Sequence, residues 1–297
     1  MPFQRRDEYI WQLRTRALAL GKRTLVMGVL NVTPDSFSDG GRFLYPDTAA
    51  ADGLRMFEQG ADIVDVGGES TRPGKREEVS DEEEQRRVMP VIERILRLKP
   101  DALLSVDTYK AATAQMAVGA GAEIVNDVSA LGWDDAMPSA CAELKCGVVL
   151  MHTRGRPGEW RGLSTLAKDE VLPLVREGLG KSLRTALDAG VEAERIVVDP
   201  GYGFGKSYEE NYPLLARQCE LRELGRPVLA GVSRKSFLGR SLAPMYGGEN
   251  APVTERGNAT IAATTAAILA GAHIVRVHDV RPAVEAARIA DAILEGI

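Results

Sequence analysis

A chain of 297 residues, 44% hydrophobic and 27% charged, has the composition of an ordinary globular protein with a real core. Its formal net charge of −5 gives no electrostatic footprint for nucleic acid, although it leaves room for local basic sites that take a small anion. No run approaches the roughly 18 uncharged apolar residues of a membrane span, and Asp7 and Glu8 fall where a secretory leader would be apolar.

In chain order, residues 1–22 carry one helical pattern and are expected as a short N-terminal helical extension covering the lower end of the main domain. From 23 to 297 no Pro/Gly/Ser-rich linker interrupts the chain, so a single domain is expected there. Short β-branched apolar runs predict strands at 24–30, 63–66, 103–106, 123–126, 148–151, 195–199, 228–231 and 274–277. Helical periodicity predicts helices near 47–59, 81–98, 109–118, 134–144, 167–189, 208–218, 255–270 and 281–294. Near-continuous apolar strands imply a parallel sheet covered on both faces. Eight such strand–helix pairs point to an α/β fold, a single (β/α)₈ TIM barrel, with a doubly wound open sheet as the alternative. Cys141, Cys146 and Cys219 are odd in number and lack metal spacing, which fits buried thiols in a reducing cytoplasm.

Almost every expected strand ends in residues a plain connector does not need. The first ends in Asn31 and runs on through "TPDSFSDGG", a polar loop too long for a simple turn. The second leads into "GGESTRPG" with Thr71 and Arg72, the third into "SVDT" with Asp107, and the fourth into "NDVS" with Asn126 and Asp127. His152 ends the fifth, "DPGYGFGK" the sixth, "GVSRKSFLG" the seventh and "RVHDV" the eighth. The connections at the other face are short and glycine-bearing, as helix C-caps are. In a barrel, chemistry gathers at the strand C-termini.

Taken singly, each residue has a plainer reading. Asp107 and Asn126 could be helix N-caps, Asp199 before Pro200 could start a turn, and Lys235 could be a solvated rim charge. Arg276 alternates with Val275 and Val277 inside a strand and is expected to point inward. The same polarity at the same end of all eight strands weighs against the plain readings. "GYGFGKS" is not a P-loop, because Pro200 stands where that pattern needs glycine. His152, His273 and His278 lack zinc spacing.

Asp107, Asn126, Asp199 and Lys235 offer acceptors and donors that suit a flat heterocycle, on which the planar Arg276 guanidinium can stack. Arg72, Ser233, Arg234, Arg276 and His278 form a second, anion-seeking group. Together with "NVTPDSFSDGG" and the other motifs in this order, spread from about residue 25 to 280, these residues resemble the dihydropteroate synthase family.

The resemblance implies a (β/α)₈ barrel, usually a homodimer, that condenses p-aminobenzoate with 6-hydroxymethyl-7,8-dihydropterin pyrophosphate. The products are 7,8-dihydropteroate and pyrophosphate, and Mg²⁺ assists. It assigns Asp107, Asn126, Asp199, Lys235 and Arg276 to the pterin, with Asp107, Lys235 and Arg276 as the catalytic set. Asn31, Arg276 and His278 are assigned to the pyrophosphate, with Asn31 facing the metal. Thr71, Arg72, Phe204, Ser233 and Lys235 are assigned to p-aminobenzoate. Loops 32–46 and 67–80 resemble the family's mobile loops. The implied route is dissociative, with Asp107 stabilising a developing cation. A pterin-binding methyltransferase and a catalytically silent pterin-binding paralogue are the competing readings. The assignment requires that Asp107, Asn126, Asp199, Lys235 and Arg276 line one shared cavity.

Overall fold

The computed structural model describes residues 3–32, 45–69 and 79–297. The β-branched runs become eight parallel strands: β3 (Leu25–Asn31), β4 (Ile63–Gly67), β5 (Leu104–Asp107), β6 (Ile124–Asp127), β7 (Gly147–Met151), β8 (Ile196–Asp199), β9 (Leu229–Ala230) and β10 (Ile274–Val277). Two further strands, β1 (Tyr9–Gln12) and β2 (Ala17–Leu20), precede them. The eight pair in the order β9, β10, β3, β4, β5, β6, β7, β8. Val198 bridges Val228 in parallel, and its N–H donates to Pro227 O at 3.0 Å, so β8 returns to β9 and the ring closes. The open-sheet alternative therefore falls.

Around the ring lie α1 (Tyr45–Glu58), α2 (Asp81–Leu98), α3 (Ala111–Gly119), α4 (Met137–Leu144), α5 (Val171–Asp188), α6 (Asn211–Ala216), α7 (Ser236–Ser241), α8 (Gly257–Leu269) and α9 (Val280–Glu295). α2 starts with Ser80 accepting from Glu83 N, followed by four acidic residues in the first turn, which complement the helix dipole. Gly121 and Gly271 take φ of +116° and +97° at helix-to-strand turns, where a side chain would be strained. Among the described residues no helix is long and apolar enough to cross a membrane.

The strands bury both faces because their two faces meet different partners. Val26, Leu30, Val64, Val66, Val106, Leu150, Val198 and Val275 pack outward against the helices. The residues of opposite parity point into the barrel, and toward the strand N-termini they are apolar: Met27, Ile63, Leu103, Ile124, Val149, Val197, Leu229 and Ile274. Trp11, Leu13 and Leu20 join that inner cluster.

These three belong to the segment expected as helix, and the expectation is corrected. Residues 9–20 form an antiparallel hairpin with Tyr9 opposite Leu20 and Gln12 opposite Ala17. Leu13 N closes its turn on Arg16 O at 2.8 Å. The two-residue spacing of Trp11 with Leu13, and of Leu18 with Leu20, serves a strand, while Ile10, Leu13, Ala17 and Leu20 recur at helical spacing. The barrel floor decides between them: it needs a flat plug, and the hairpin places Trp11 and Leu13 against Gly147. A Cβ at Gly147 would lie 2.5 Å from Leu13 and 3.0 Å from Trp11. The covering role itself is as expected.

Other boundaries shift. β9 is only two residues long, the helix expected at 208–218 is α6 followed by 3₁₀ turns over Gln218–Leu224, and α7 arises inside the "SRKSFLG" motif.

Candidate active site

Higher in the barrel the inward column changes character. Asp65 follows Ile63 on β4, Asp107 follows Ser105 on β5, Asn126 follows Ile124 on β6, and Asp199 follows Val197 on β8. Arg276 follows Ile274 on β10. Register aligns Gly67 with both Asn31 and Asp107, so the ends of β3, β4 and β5 are level. A Cβ at Gly67 would stand 3.3 Å from that of Asp107, so the glycine leaves room for the carboxylate.

Arg276 organises this layer. Its Nε donates to Asp65 Oδ2 at 2.7 Å and its Nη2 to Asp107 Oδ2 at 2.6 Å. Asp65 Oδ2 also accepts from Asn126 Nδ2 at 2.8 Å. Asp65 is fully buried, whereas the side chains of Asp107 and Arg276 keep 13% and 21% exposure. The last two can therefore meet a ligand, and Asp65 lies beneath them as a brace. Asp65 escaped the sequence reading. A lone Asp at inward parity, two residues after Ile63, is the signal that would have found it.

The electrostatics follow from crowding charges in a dry space. Burial, opposed by Arg276 and reinforced by Asp65, pushes Asp107 up to about 7. Burial raises Asp199 to about 6, against the Gly201 N–H and the Lys235 charge. Burial and the Arg276 charge bring Lys235 down to about 8, although Asp199 and Asp107 pull it up. Burial acts to lower Arg276, but Asp65 and Asp107 outweigh it and hold the guanidinium above its ordinary value.

The "DPGYGFGK" turn is shaped by three left-handed glycines. Gly201 and Gly205 have φ of +67° and +66°, and a Cβ at Gly201 would lie 1.9 Å from His152 O. Gly201 N donates to Asp199 Oδ1 at 2.7 Å, so Asp199 does start a turn while also facing the cavity. The turn brings Phe204 to Lys235, whose Nζ is 3.9 Å from the ring centroid. Trp160 packs against Phe204 in a T-shaped contact, ring centroids 5.5 Å apart. Ser233 Oγ lies 3.0 Å from His278 Nδ1 and accepts from His278 N at 3.2 Å.

The helix-cap readings fail for Asp107 and Asn126. α3 begins four residues after Asp107, and the N–H of Ala111 is met by Asp134 at 2.7 Å. Asp127 faces outward and accepts from Ser129 N and Leu131 N, which makes it a turn residue. Arg234, expected among the anion seekers, is instead held by Asp279 through Nε at 3.1 Å and Nη2 at 2.6 Å. His152 is buried, its pKa pulled well down by burial, and its ring packs under Gly178 of α5. Thr71, Arg72, Phe37 and the remainder of both long loops lie outside the described residues, apart from their flanks. A cavity of about 570 Å³ opens elsewhere, between the N-terminal arm and α6 and α8, and gathers none of these residues.

Asp107, Asn126, Asp199, Lys235 and Arg276 thus share one end of one barrel, with Asn31, Phe204, Ser233 and His278 on the elements around them. A closed parallel barrel with carboxylates, an amide and two cations at its C-terminal mouth defines an enzyme that grips a polar ring. The pterin binding enzyme family matches residues 27–278. The chain is 43% identical to the dihydropteroate synthase of Bacillus subtilis, over 94% of this chain and 91% of that one. Dihydropteroate synthase from Xanthomonas albilineans, solved with 4-aminobenzoic acid, superposes with a TM-score of 0.85 at 42% identity, covering 97% of this chain and 98% of that one. The same enzyme in complex with 7,8-dihydropteroate gives 0.80 at 41% identity, covering 95% and 98%. The chain belongs to the dihydropteroate synthase family and is a transferase.

Proposed function

We propose that the cavity holds 6-hydroxymethyl-7,8-dihydropterin pyrophosphate beside p-aminobenzoate and joins them to 7,8-dihydropteroate, releasing pyrophosphate. The observation that carries this reading is the Asp107–Arg276–Asp65–Asn126 network at the barrel mouth. Asp107, Asn126, Asp199 and Lys235 bind the pterin edge, with the Arg276 plane against the ring. Asn31, Arg276 and His278 receive the diphosphate. Phe204, Ser233 and Lys235 border p-aminobenzoate, together with Thr71 and Arg72. The relatives solved with 4-aminobenzoic acid and 7,8-dihydropteroate support the choice of ligands.

The arylamine is neutral near pH 7, so its nitrogen needs orientation more than a strong base. The demanding event is cleavage of the bond between the methylene carbon and the diphosphate oxygen. Arg276 stabilises the leaving charge, and the ionised Asp107 stabilises the positive charge that spreads over the pterin; such fixed charges are worth several kcal/mol in a dry site. The amine then forms the C–N bond and gives up its proton. Exclusion of water keeps the cation from being trapped as the alcohol.

A magnesium ion fits this donor set as a companion of the diphosphate. Among the described residues no three His, Cys, Asp or Glu gather to hold a metal. Mg²⁺ commonly takes one or two protein oxygens and fills its shell from phosphate and water, and the Asn31 amide oxygen would serve as that protein ligand. When bound, the ion supplies charge neutralisation on the diphosphate. The partners in this reading are two small molecules and a second copy of the chain, and the compartment is the cytoplasm.

The test is pyrophosphate release with both substrates and Mg²⁺. Dihydropteroate and pyrophosphate should appear in equal amounts. Pterin binding without release would indicate a silent paralogue, and methyl transfer from a folate-type donor a methyltransferase.

A further inference from the structure

Among the described residues two buried ammonium groups remain after the strand-end residues have been assigned: Lys110, which is ion-paired with Glu69 and Glu84, and Lys206, which bonds only main-chain carbonyls. Lys206, the last residue of the glycine-rich turn, is 7% exposed. Its Nζ donates to Gly201 O at 2.8 Å, and to His152 O and Phe204 O at 3.3 Å each. Its partners are thus main-chain carbonyls from both ends of one turn and from the end of β7. An ammonium buried this way is costly unless its hydrogen bonds are complete. Three carbonyls converging on one charge can hold a turn whose glycines, lacking side chains, supply little packing of their own. The same turn carries Gly201, whose N–H meets Asp199, and Phe204, whose ring meets Lys235.

We propose that Lys206 is a positioning residue for the p-aminobenzoate substrate: it gathers the carbonyls of His152, Gly201 and Phe204 and so fixes the turn that sets Phe204 against Lys235. This rests on the proposed function, in which Phe204 and Lys235 border the arylamine site. Asp107, Asn126 and Arg276 come from β5, β6 and β10 and are braced through Asp65, independently of the turn, whereas Asp199 and Lys235, which also meet the pterin in that reading, each touch the turn once. Loss of the ammonium should therefore separate the two substrates. It should loosen p-aminobenzoate more than the pterin, which keeps Asp107, Asn126 and Arg276.

The measurement is steady-state kinetics and calorimetric binding on Lys206→Met and Lys206→Gln. Lys206→Met should raise KM for p-aminobenzoate by about tenfold or more, with Kd for the pterin pyrophosphate raised by no more than about threefold. Lys206→Gln, which keeps two N–H donors, should fall between it and the parent. An unchanged KM, or equal losses for both substrates, overturns the proposal. If neither variant folds, amide exchange of residues 201–208 in the parent enzyme reads the same contact. Burial brings Lys206 down to about 7, with Lys235 and Arg154 adding to the shift and Asp199 and Glu210 opposing it. Protection of that segment, corrected for intrinsic rates, should fall about threefold or more between about pH 6 and about pH 9, while β5 and β6 keep theirs. Constant protection overturns the proposal. A parent enzyme that forms no dihydropteroate refutes the functional reading instead, and the exchange result then stands alone.

Discussion

At the lower end of the barrel the inward side chains are Met27, Ile63, Ile124, Val197 and Ile274, sealed by Trp11, Leu13 and Leu20 from the hairpin. One step higher on the same strands, the inward column holds Asp65, Asn126, Asp199 and Arg276. The two ends use one backbone geometry for opposite purposes. Apolar burial below gives stability without direction, at about 1.5–3 kcal/mol for each fully buried large aliphatic side chain. Charges above give direction, and burial penalises their ionised forms. A barrel can carry a polar layer because the apolar floor and the outer shell of helices supply the surplus. The comparison implies that substitutions above should act on chemistry and those below on stability.

The largest expected effect lies at the mouth. Asp107→Ala should cut turnover by about 10³-fold, the scale of removing a fixed charge aimed at a transition state. Pyrophosphate affinity should change far less, because Arg276 keeps its second anchor on Asp65. Pyrophosphate release gives the rate and calorimetry gives the affinity. Equal losses in both would mean that Asp107 merely holds the ligand, and the contrast between the ends would lose its chemical half.

The matching change below is Trp11→Ala. Trp11 is fully buried, and its Nε1 donates to Arg195 O at 2.8 Å. Deleting the indole should cost about 3–5 kcal/mol in urea unfolding, from lost burial and the cavity left behind. The turnover of the protein that remains folded should stay within about twofold of the parent. A parallel collapse of turnover would show that the floor shapes the mouth, and the two ends could no longer be treated separately.

Much of this contrast was legible in the residues, because the motifs sit where strand ends must be. The parity argument put Arg276 inside the barrel, and its bonds to Asp65 and Asp107 bear that out. What escaped depended on partners distant in the chain. Asp65 is one letter in an apolar run, and its role comes from Asn126 and from Arg276, the latter 211 residues away. Arg234 belongs to a motif with Ser233 and Lys235, yet its backbone, at φ +56°, and Asp279 turn it to a different task. The hairpin failed for the same reason: residues 9–20 satisfy two periodicities, and the choice is made by the open floor of a barrel that closes only much later in the chain.

The smallest expected effect tests whether the polar layer costs stability. Asp199 is nine-tenths or more buried and is pushed up to about 6 from an ordinary 3.8, chiefly by burial and against the Gly201 N–H, Lys235 and Arg276. Between those two values the folded protein holds a proton that the unfolded chain has already released. The contribution of this group to stability is therefore greatest at acid pH, declines as pH rises from about 4 to about 6, and stays low above that range. Asp199→Asn removes the ionisation and keeps an oxygen for the Gly201 N–H. At about pH 7.5 the variant should be more stable than the parent by about 1–3 kcal/mol in urea unfolding, the scale of a pKa shift of one to two units. That advantage should shrink toward zero below about pH 4, where the parent carboxyl is protonated in both states. Activity should fall even as stability rises, since in the proposed function the pterin edge loses its ionised acceptor. An advantage that grew on acidification would reverse the sign of the burial effect. The mouth would then be contributing to stability through its ion pairs, and the division of labour between the two ends would have to be abandoned.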